Sequence, residues 1–252
     1  MKKLILLIAI IIVAISCKQE AKKETVKEEK VEEKYPKALG EVFEKHGGIK
    51  NWRAAKTLSF GINNEEHTVD LPSRKTVINA KDYALGFDGK DIWVHQQDTT
   101  AFKGNKEFYY NLYFYFYAMP FVLADDGIVY GETKPLEFEG VSYPGIKISY
   151  EANVGTSPDD NYYMYYHPET KEMTWLGYTV TYFSKKPSDK ANLIRYNDWE
   201  NVNGFVLPKS ITWYKKDDNG NPTEPARDPI EFSLPLISQA PLADSFFEKP
   251  KQ

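Results

Sequence analysis

Two runs decide the fold: Leu193-Ile194-Arg195-Tyr196-Asn197-Asp198-Trp199-Glu200-Asn201 and Val206-Leu207-Pro208-Lys209-Ser210-Ile211-Thr212-Trp213-Tyr214, with Asn203-Gly204 between them. Both are rich in β-branched and aromatic side chains. Asn-Gly most readily supplies the two left-handed residues of a tight hairpin turn. The spacing predicts a long antiparallel hairpin. Working outward, Ile230–Leu236 reads as a further strand. On the other side strands are expected near Thr174–Phe183, Tyr162–Tyr166, Gly145–Glu151 and Ile128–Thr133. Earlier still, Leu58 with Phe60, Val69 with Leu71, then Val77, then Ile92 with Val94 continue the period of two, with Asp88-Gly89 as a second turn dipeptide. Polar breaks separate the runs at Pro158-Asp159-Asp160-Asn161, His167-Pro168-Glu169-Thr170 and Asp217-Asp218-Asn219-Gly220-Asn221. Spacings of roughly ten to fifteen residues imply a single large antiparallel sheet. No internal repeat is visible.

Two segments depart from this pattern. After Pro36, residues Leu39, Val42 and Phe43 recur at helical spacing, and His46-Gly47-Gly48 ends that helix. A protonated His46 there would complement the helix dipole, a structural role. From Glu107 to Asp126 the chain is dense in Tyr, Phe and Leu without alternation. Its length suits a helix of about ten residues, then Met119-Pro120 and a second helical turn through Leu123. Aromatic β-propensity points the other way. Read as helix, the segment brings Phe108, Leu112, Tyr115 and Phe116 to one side, where they would seal a cavity. The fold class is therefore α+β, mostly β.

The N-terminus carries an address. Lys2 and Lys3 precede an unbroken apolar run, Leu4 to Ile15, and then Ser16-Cys17. The run is shorter than the roughly 20 residues a membrane-spanning helix needs, and its order is that of a secretory signal. Ala14-Ile15-Ser16-Cys17 resembles the lipobox of bacterial lipoproteins, with Ala14 where Leu is usual. That resemblance implies acylation of Cys17, and several acyl chains at about 0.8 kcal/mol per methylene make a stable anchor. Residues 1–16 are then a signal peptide and 17–34 a Lys/Glu tether too poor in apolar surface to pack. Residues 35–252 remain for a single domain. The expected location is the cell envelope, on the outer membrane facing the periplasm, with membrane and leaflet left open by Lys18-Gln19-Glu20. Cys17 is the sole cysteine, so the domain must be held by burial rather than by a disulfide.

Composition narrows the function. The formal net charge is −4, which gives no basic face for a nucleic acid. The histidines, His46, His67, His95 and His167, form no HExxH or HxH pattern, so no metal is expected. His67 and His95 each precede an aspartate by three residues, Asp70 and Asp98, a spacing that puts the pair on opposite faces of a strand. Aligning Asp217 to Asn221 with a calcium loop puts Lys215 at the first ligand position and Ala226 at the twelfth, so a hairpin tip is the better reading. There is no GxSxG elbow and no glycine-rich phosphate loop. The chain reads as no enzyme, without cofactor.

The aromatics remain, with 18 Tyr and 14 Phe. Tyr162-Tyr163-Met164-Tyr165-Tyr166 loads both faces of one strand, as expected when one face packs a helix and the other lines something else. One reading is a thick core with tyrosine hydroxyls at its surface. The other is a curved aromatic-lined sheet around an apolar ligand. For that site the candidate residues are Trp93, Leu112, Tyr115, Phe116, Tyr163, Tyr165 and Tyr182.

Several motifs carry a family resemblance. His46-Gly47-Gly48 with Trp52, followed by Phe87-Asp88-Gly89-Lys90-Asp91-Ile92-Trp93, resembles the opening of the outer-membrane lipoprotein carrier (LolA/LolB-like) superfamily. Tyr165-Tyr166-His167-Pro168-Glu169-Thr170 is similar to one of its strand-turn motifs. Arg195-Tyr196-Asn197-Asp198-Trp199 leading to Val202-Asn203-Gly204-Phe205-Val206-Leu207-Pro208 is similar to its hairpin, and Phe246-Phe247-Glu248-Lys249-Pro250 to its closing motif. The chain also resembles a group of uncharacterised Gram-negative lipoproteins of this type. The resemblance implies a curved antiparallel sheet forming an unclosed half-barrel, with helices packed on its concave face around a hydrophobic cavity. Members of that superfamily carry or accept lipoproteins; the signal, the sheet-rich pattern and the aromatic density together give the expectation of a membrane-anchored protein that binds a lipid, a lipoprotein or another hydrophobic ligand in such a cavity. The alternative is a structural or assembly lipoprotein that binds an envelope protein partner and no small ligand.

Overall fold

The computed structural model describes residues 34–151, 159–184, 186–188 and 190–251. The expected signal peptide, Cys17 and the expected tether as far as residue 33 lie outside the described residues, as does Pro158 of one expected turn. Two helices come first, α1 (Lys37–Lys45) and α2 (Ile49–Ala54). A meander follows: β1 (Thr57–Ile62), β2 (Glu65–Asp70), β3 (Thr76–Asn79), β4 (Tyr83–Phe87) and β5 (Ile92–Gln96). The chain then passes through α3 (Lys106–Tyr109), α4 (Leu112–Tyr117) and a 3-10 turn, Phe121–Ala124. Next come β6 (Ile128–Glu132), a small hairpin of β7 (Leu136–Phe138) and β8 (Val141–Tyr143), and β9 (Gly145–Tyr150). After them run β10 (Tyr162–Tyr166), β11 (Met173–Tyr178), β12 (Asn192–Val202) and β13 (Phe205–Lys216). The last strands are β14 (Pro222–Pro225), β15 (Ile230–Glu231) and β16 (Ser233–Ser238), before a closing 3-10 turn, Asp244–Phe247.

The long hairpin forms where the sequence places it. Asn203 and Gly204 take positive φ, 52° and 91°, between β12 and β13. The single large sheet does not form. The strands divide into a six-stranded sheet, β16-β1-β2-β3-β4-β5, and a larger one, β14-β13-β12-β11-β10-β9-β6, with β15 also on β13. All pairings are antiparallel, and the curved sheets do not close into a barrel. The division arises at Phe232. Its N–H donates to Lys209 O in the larger sheet (2.8 Å), and the next residue begins β16, which pairs with β1. The expected strand Ile230–Leu236 is thus shared between two sheets, a change of partner that spacing does not encode. Along β16 the register with β1 slips between Ser59 and Gly61, at Leu234 (φ 49°) and Pro235.

Helices fill the concave side. Leu39, Val42 and Phe43 of α1 are fully buried, and Trp52 of α2 stacks on Phe121 with centroids 4.4 Å apart. Phe60 of β1 meets Tyr117 of α4 at 4.4 Å. These rings belong to one continuous apolar cluster that takes in both sheets. A smaller cluster covers the other face of the larger sheet, where the β7–β8 hairpin lays Phe138 and Tyr143 over Trp175 and Tyr165.

At the end of α1, Gly47 has φ 111°, and a Cβ there would stand 2.4 Å from Gly204 O, so glycine is required on two counts. His46 does not act as an exposed dipole cation. It is fully buried, its Nδ1 lies 2.9 Å from Val206 O, and its Nε2 accepts the Met173 N–H at 3.1 Å. Because Nε2 accepts, the proton sits on Nδ1 and the ring is neutral. Burial drives its pKa down to about 4, against the Val206 hydrogen bond and with the help of nearby Lys45. One imidazole therefore ties α1 to both β11 and β13.

Candidate functional site

The aromatic segment after β5 is helical but broken. Asn105 caps α3 by accepting the Phe108 N–H on its side chain (3.0 Å), and Asn111 interrupts the helix before α4. The expected ten-residue helix is thus two short ones, parted at Asn111, whose backbone (φ −124°, ψ 2°) leaves the helical region without a side-chain cap. The second turn follows Met119-Pro120 as expected, as the 3-10 turn Phe121–Ala124.

This strap has two working sides. One rests on the six-stranded sheet through a buried polar cluster. Glu65 of β2 is 8% exposed and accepts from His67 (3.0 Å), from Tyr109 of α3 (2.9 Å to each oxygen) and from Tyr83 of β4. Burial alone would raise the Glu65 carboxyl, but the bonds from His67, Tyr83 and Tyr109 outweigh it and hold the pKa below its ordinary value. His67 and Glu65 are two residues apart on one strand and share a face; that spacing was the signal for this pair.

The other side of the strap walls a cavity of about 240 Å³ against the larger sheet. Phe108, Tyr110, Asn111, Leu112, Tyr115, Phe116 and Met119 come from the strap and the turn behind it. Tyr150 of β9, Tyr162 of β10 and Tyr178 of β11 face them, with Asp160, Thr179 and Val180 at the strand ends. The space is smaller than the roughly 300–1,000 Å³ of a drug-sized site, so a compact ligand or one short chain fills it. Desolvation raises the phenols of Tyr150, Tyr162 and Tyr178 and pushes Tyr115 up to about 12. These hydroxyls therefore stay protonated at any working pH and act as neutral donors and acceptors. Tyr178 OH already accepts the Trp213 indole N–H at 2.8 Å.

Of the residues singled out from sequence, Leu112, Tyr115 and Phe116 line this cavity together, as does Phe108. The other four stand elsewhere. Trp93 is buried with Val77 and Phe247 and donates its indole N–H to Phe247 O at 2.9 Å, which fastens the C-terminal turn. Tyr163 and Tyr165 point to the opposite face of β10, under or beside the β7–β8 hairpin. Tyr182 packs on the back of Phe108 at 5.2 Å, beside the wall. The residues missed, Tyr150, Tyr162, Tyr178 and Asp160, follow from parity. Tyr162, Met164 and Tyr166 share the concave face, and choosing the alternate set moves every side chain across the sheet. Among the described residues no group of three His, Cys, Asp or Glu is placed to hold a metal ion. No helix among them is long and apolar enough to cross a membrane.

Neither protein-family models nor curated proteins give a match. Solved structures do. A LolA superfamily protein from Nitrosomonas europaea is similar at 9% identity and TM-score 0.40, over 82% of this chain and 96% of that one. A DUF1329 family protein from Desulfovibrio piger is similar at 11% identity and TM-score 0.45, over 84% and 96%. A putative outer membrane lipoprotein-sorting protein domain from Vibrio parahaemolyticus is similar at 7% identity and TM-score 0.36, over 81% and 96%. The likeness is one of fold alone.

Proposed function

We propose that this protein is a lipid-anchored component of the cell envelope that holds a compact apolar ligand in the cavity between the α3–α4 strap and the larger sheet. The observation that carries this reading is the wall itself. Phe108, Leu112, Phe116 and Met119 present apolar surface to a half-open cavity that the dense aromatic packing elsewhere leaves unfilled. Filling it returns roughly 25 cal/mol for each Å² of apolar surface removed from water, enough to hold a small hydrophobic molecule. Non-denaturing mass spectrometry of the purified protein, with analysis of its organic extract, tests the proposal. The expected result is a co-purifying small hydrophobe at up to one per chain. No bound molecule, together with no uptake of any short-chain amphiphile, overturns it.

The anchor belongs to the same proposal. With Cys17 as the acylated residue, Cys17→Ser leaves no sulfur to carry the first acyl group. The expected product is an uncleaved precursor held by its apolar N-terminus, read by metabolic labelling with a fatty acid and by mass. Normal maturation of the variant with retention in washed membranes would mean that Cys17 is not the anchor.

A further inference from the structure

Strand β6 is a rim of the larger sheet, bonded to β9 on one side and to no strand on the other. The register says which of its backbone groups face outward. The Glu151 N–H donates to Gly127 O at 2.8 Å, and these two residues stand directly opposite each other, one step beyond the pairing of Ile128 with Tyr150. In an antiparallel ladder such hydrogen-bonded pairs alternate with non-bonded ones. Gly127, Val129 and Gly131 therefore turn their backbone groups toward β9, and Ile128, Tyr130 and Glu132 turn theirs away from it. Among the described residues, nothing in the protein bonds those outward N–H groups and carbonyls. The side chains along the rim are equally open. Val129 is 47% exposed, and a Cβ on Gly131 would meet only Lys147 Cβ, at 3.9 Å, so that position is a notch. Each end of the rim carries one charge of each sign. Lys34 and Asp126 lie 3.7 Å apart at its start, both almost wholly exposed, and such a pair exchanges partners at little cost. Glu132 and Lys134, also exposed, stand at its finish.

We infer that β6 is where two copies of this protein pair, strand against strand, about a two-fold axis through Tyr130. In that register Tyr130 meets Tyr130, and Ile128 meets Glu132 of the other copy. All of these are outward, hydrogen-bonding positions, so every free donor on one rim finds an acceptor on the other. Val129 then lies opposite Gly131 of the other copy, apolar side chain against notch. These are the non-hydrogen-bonded pairs, where side chains come closest. The antiparallel sense brings the Asp126 end of one rim to the Lys134 end of the other, opposite charges together. The contact is the same patch on both copies and uses up both rims, so assembly stops at two. Five residues a side bury little area, which makes the pair weak in dilute solution.

Sedimentation equilibrium of the purified protein across about 10–500 µM should show monomer and dimer with no larger species. Glu132→Pro removes one outward N–H and leaves the bonds to β9 intact, so it should abolish the dimer with the melting temperature nearly unchanged. Lys134→Asp makes one end of the rim doubly acidic and should weaken the dimer about tenfold, and adding Asp126→Lys should restore it. The register is read by disulfide formation, because opposed residues of a non-hydrogen-bonded pair stand about 4.5 Å apart at Cα, within reach of a bridge. Val129→Cys and Gly131→Cys chains, mixed and oxidised, should give a reductant-sensitive dimer beyond what either gives alone. A protein that stays monomeric throughout the range and gives no such cross-link overturns the inference. So does a dimer that survives Glu132→Pro at wild-type strength. A monomer whose Val129→Cys variant cross-links in cells to a different protein counts against the second copy and assigns the rim to that partner. Should Glu132→Pro fail to fold, the charge exchange and the cross-link decide the matter.

Discussion

His46→Ala is expected to lower the unfolding free energy by about 3–5 kcal/mol at neutral pH. The substitution strands the Met173 N–H and the Val206 carbonyl inside the protein, each at a cost of about 1–3 kcal/mol. It also removes a ring packed 4.4 Å from Trp199. The pH dependence separates this from a simple cavity. In the unfolded chain an ordinary imidazole takes up its proton near pH 6.5, whereas in the fold His46 resists until about 4. Above the higher value neither state is protonated and the contribution of His46 is complete. Between the two the unfolded state gains the proton first, so stability falls with acid, by about 3 kcal/mol in all. Urea melts near neutral pH and near pH 4.5 measure both effects. In His46→Ala this part of the acid slope should vanish; an unchanged slope would place the responsible group elsewhere.

Phe116→Ala should be nearly as costly and should also empty the cavity. The ring is 6% exposed and meets Tyr178 and Trp213 edge-on at 5.5 and 5.8 Å. The Phe116 carbonyl accepts the buried Tyr196 hydroxyl at 3.0 Å, so the backbone is held in place and cannot collapse into the gap. Truncating a buried Phe costs about 3–5 kcal/mol. Because one side of this ring borders open space, the lower end applies, a drop of about 10 °C in melting temperature for a chain of this size. Ligand content should fall with it, since the apolar wall retreats. Calorimetry and extraction of the same preparation read the two effects. A variant with wild-type melting temperature and wild-type ligand content would remove Phe116 from the wall altogether.

Local chemistry was legible in the sequence, and long-range partnership was not. Asn203-Gly204 and Asp88-Gly89 placed their hairpins because turn geometry is written in two residues. The helical spacing of Phe108, Leu112, Tyr115 and Phe116 placed one wall of the cavity even though Asn111 broke the helix, because both short helices keep the same face inward. What failed needed information from distant parts of the chain. Tyr163 and Tyr165 were indistinguishable from Tyr162 until a partner fixed which face of β10 was concave. The opposite face is also apolar because β7–β8 folds over it, so hydrophobicity could not break the tie. The single sheet became two because Phe232 sits at a change of partner, and Trp93 faced the C-terminal turn rather than a ligand. The neutral state of His46 depended on Met173 and Val206, far from it in sequence.

The slip at Leu234 and Pro235 has a consequence for how copies of this protein meet. An unclosed sheet leaves free rims, and a free rim is a template on which another chain can add a strand. Here three of the four rims, β16, β14 and β5, are spoiled. Pro235 offers no N–H along β16, and the register slip bends that strand away from a straight run. Pro222 and Pro225 do the same for β14. On β5 the Ile92 carbonyl is taken by Lys106 Nζ at 2.7 Å. A neighbour attempting to extend either sheet along these three strands would find missing donors, a twisted line or an acceptor already engaged. Along those three rims the half-barrel stays unclosed without offering a template to its own kind, which leaves β6 as the edge where a strand could add.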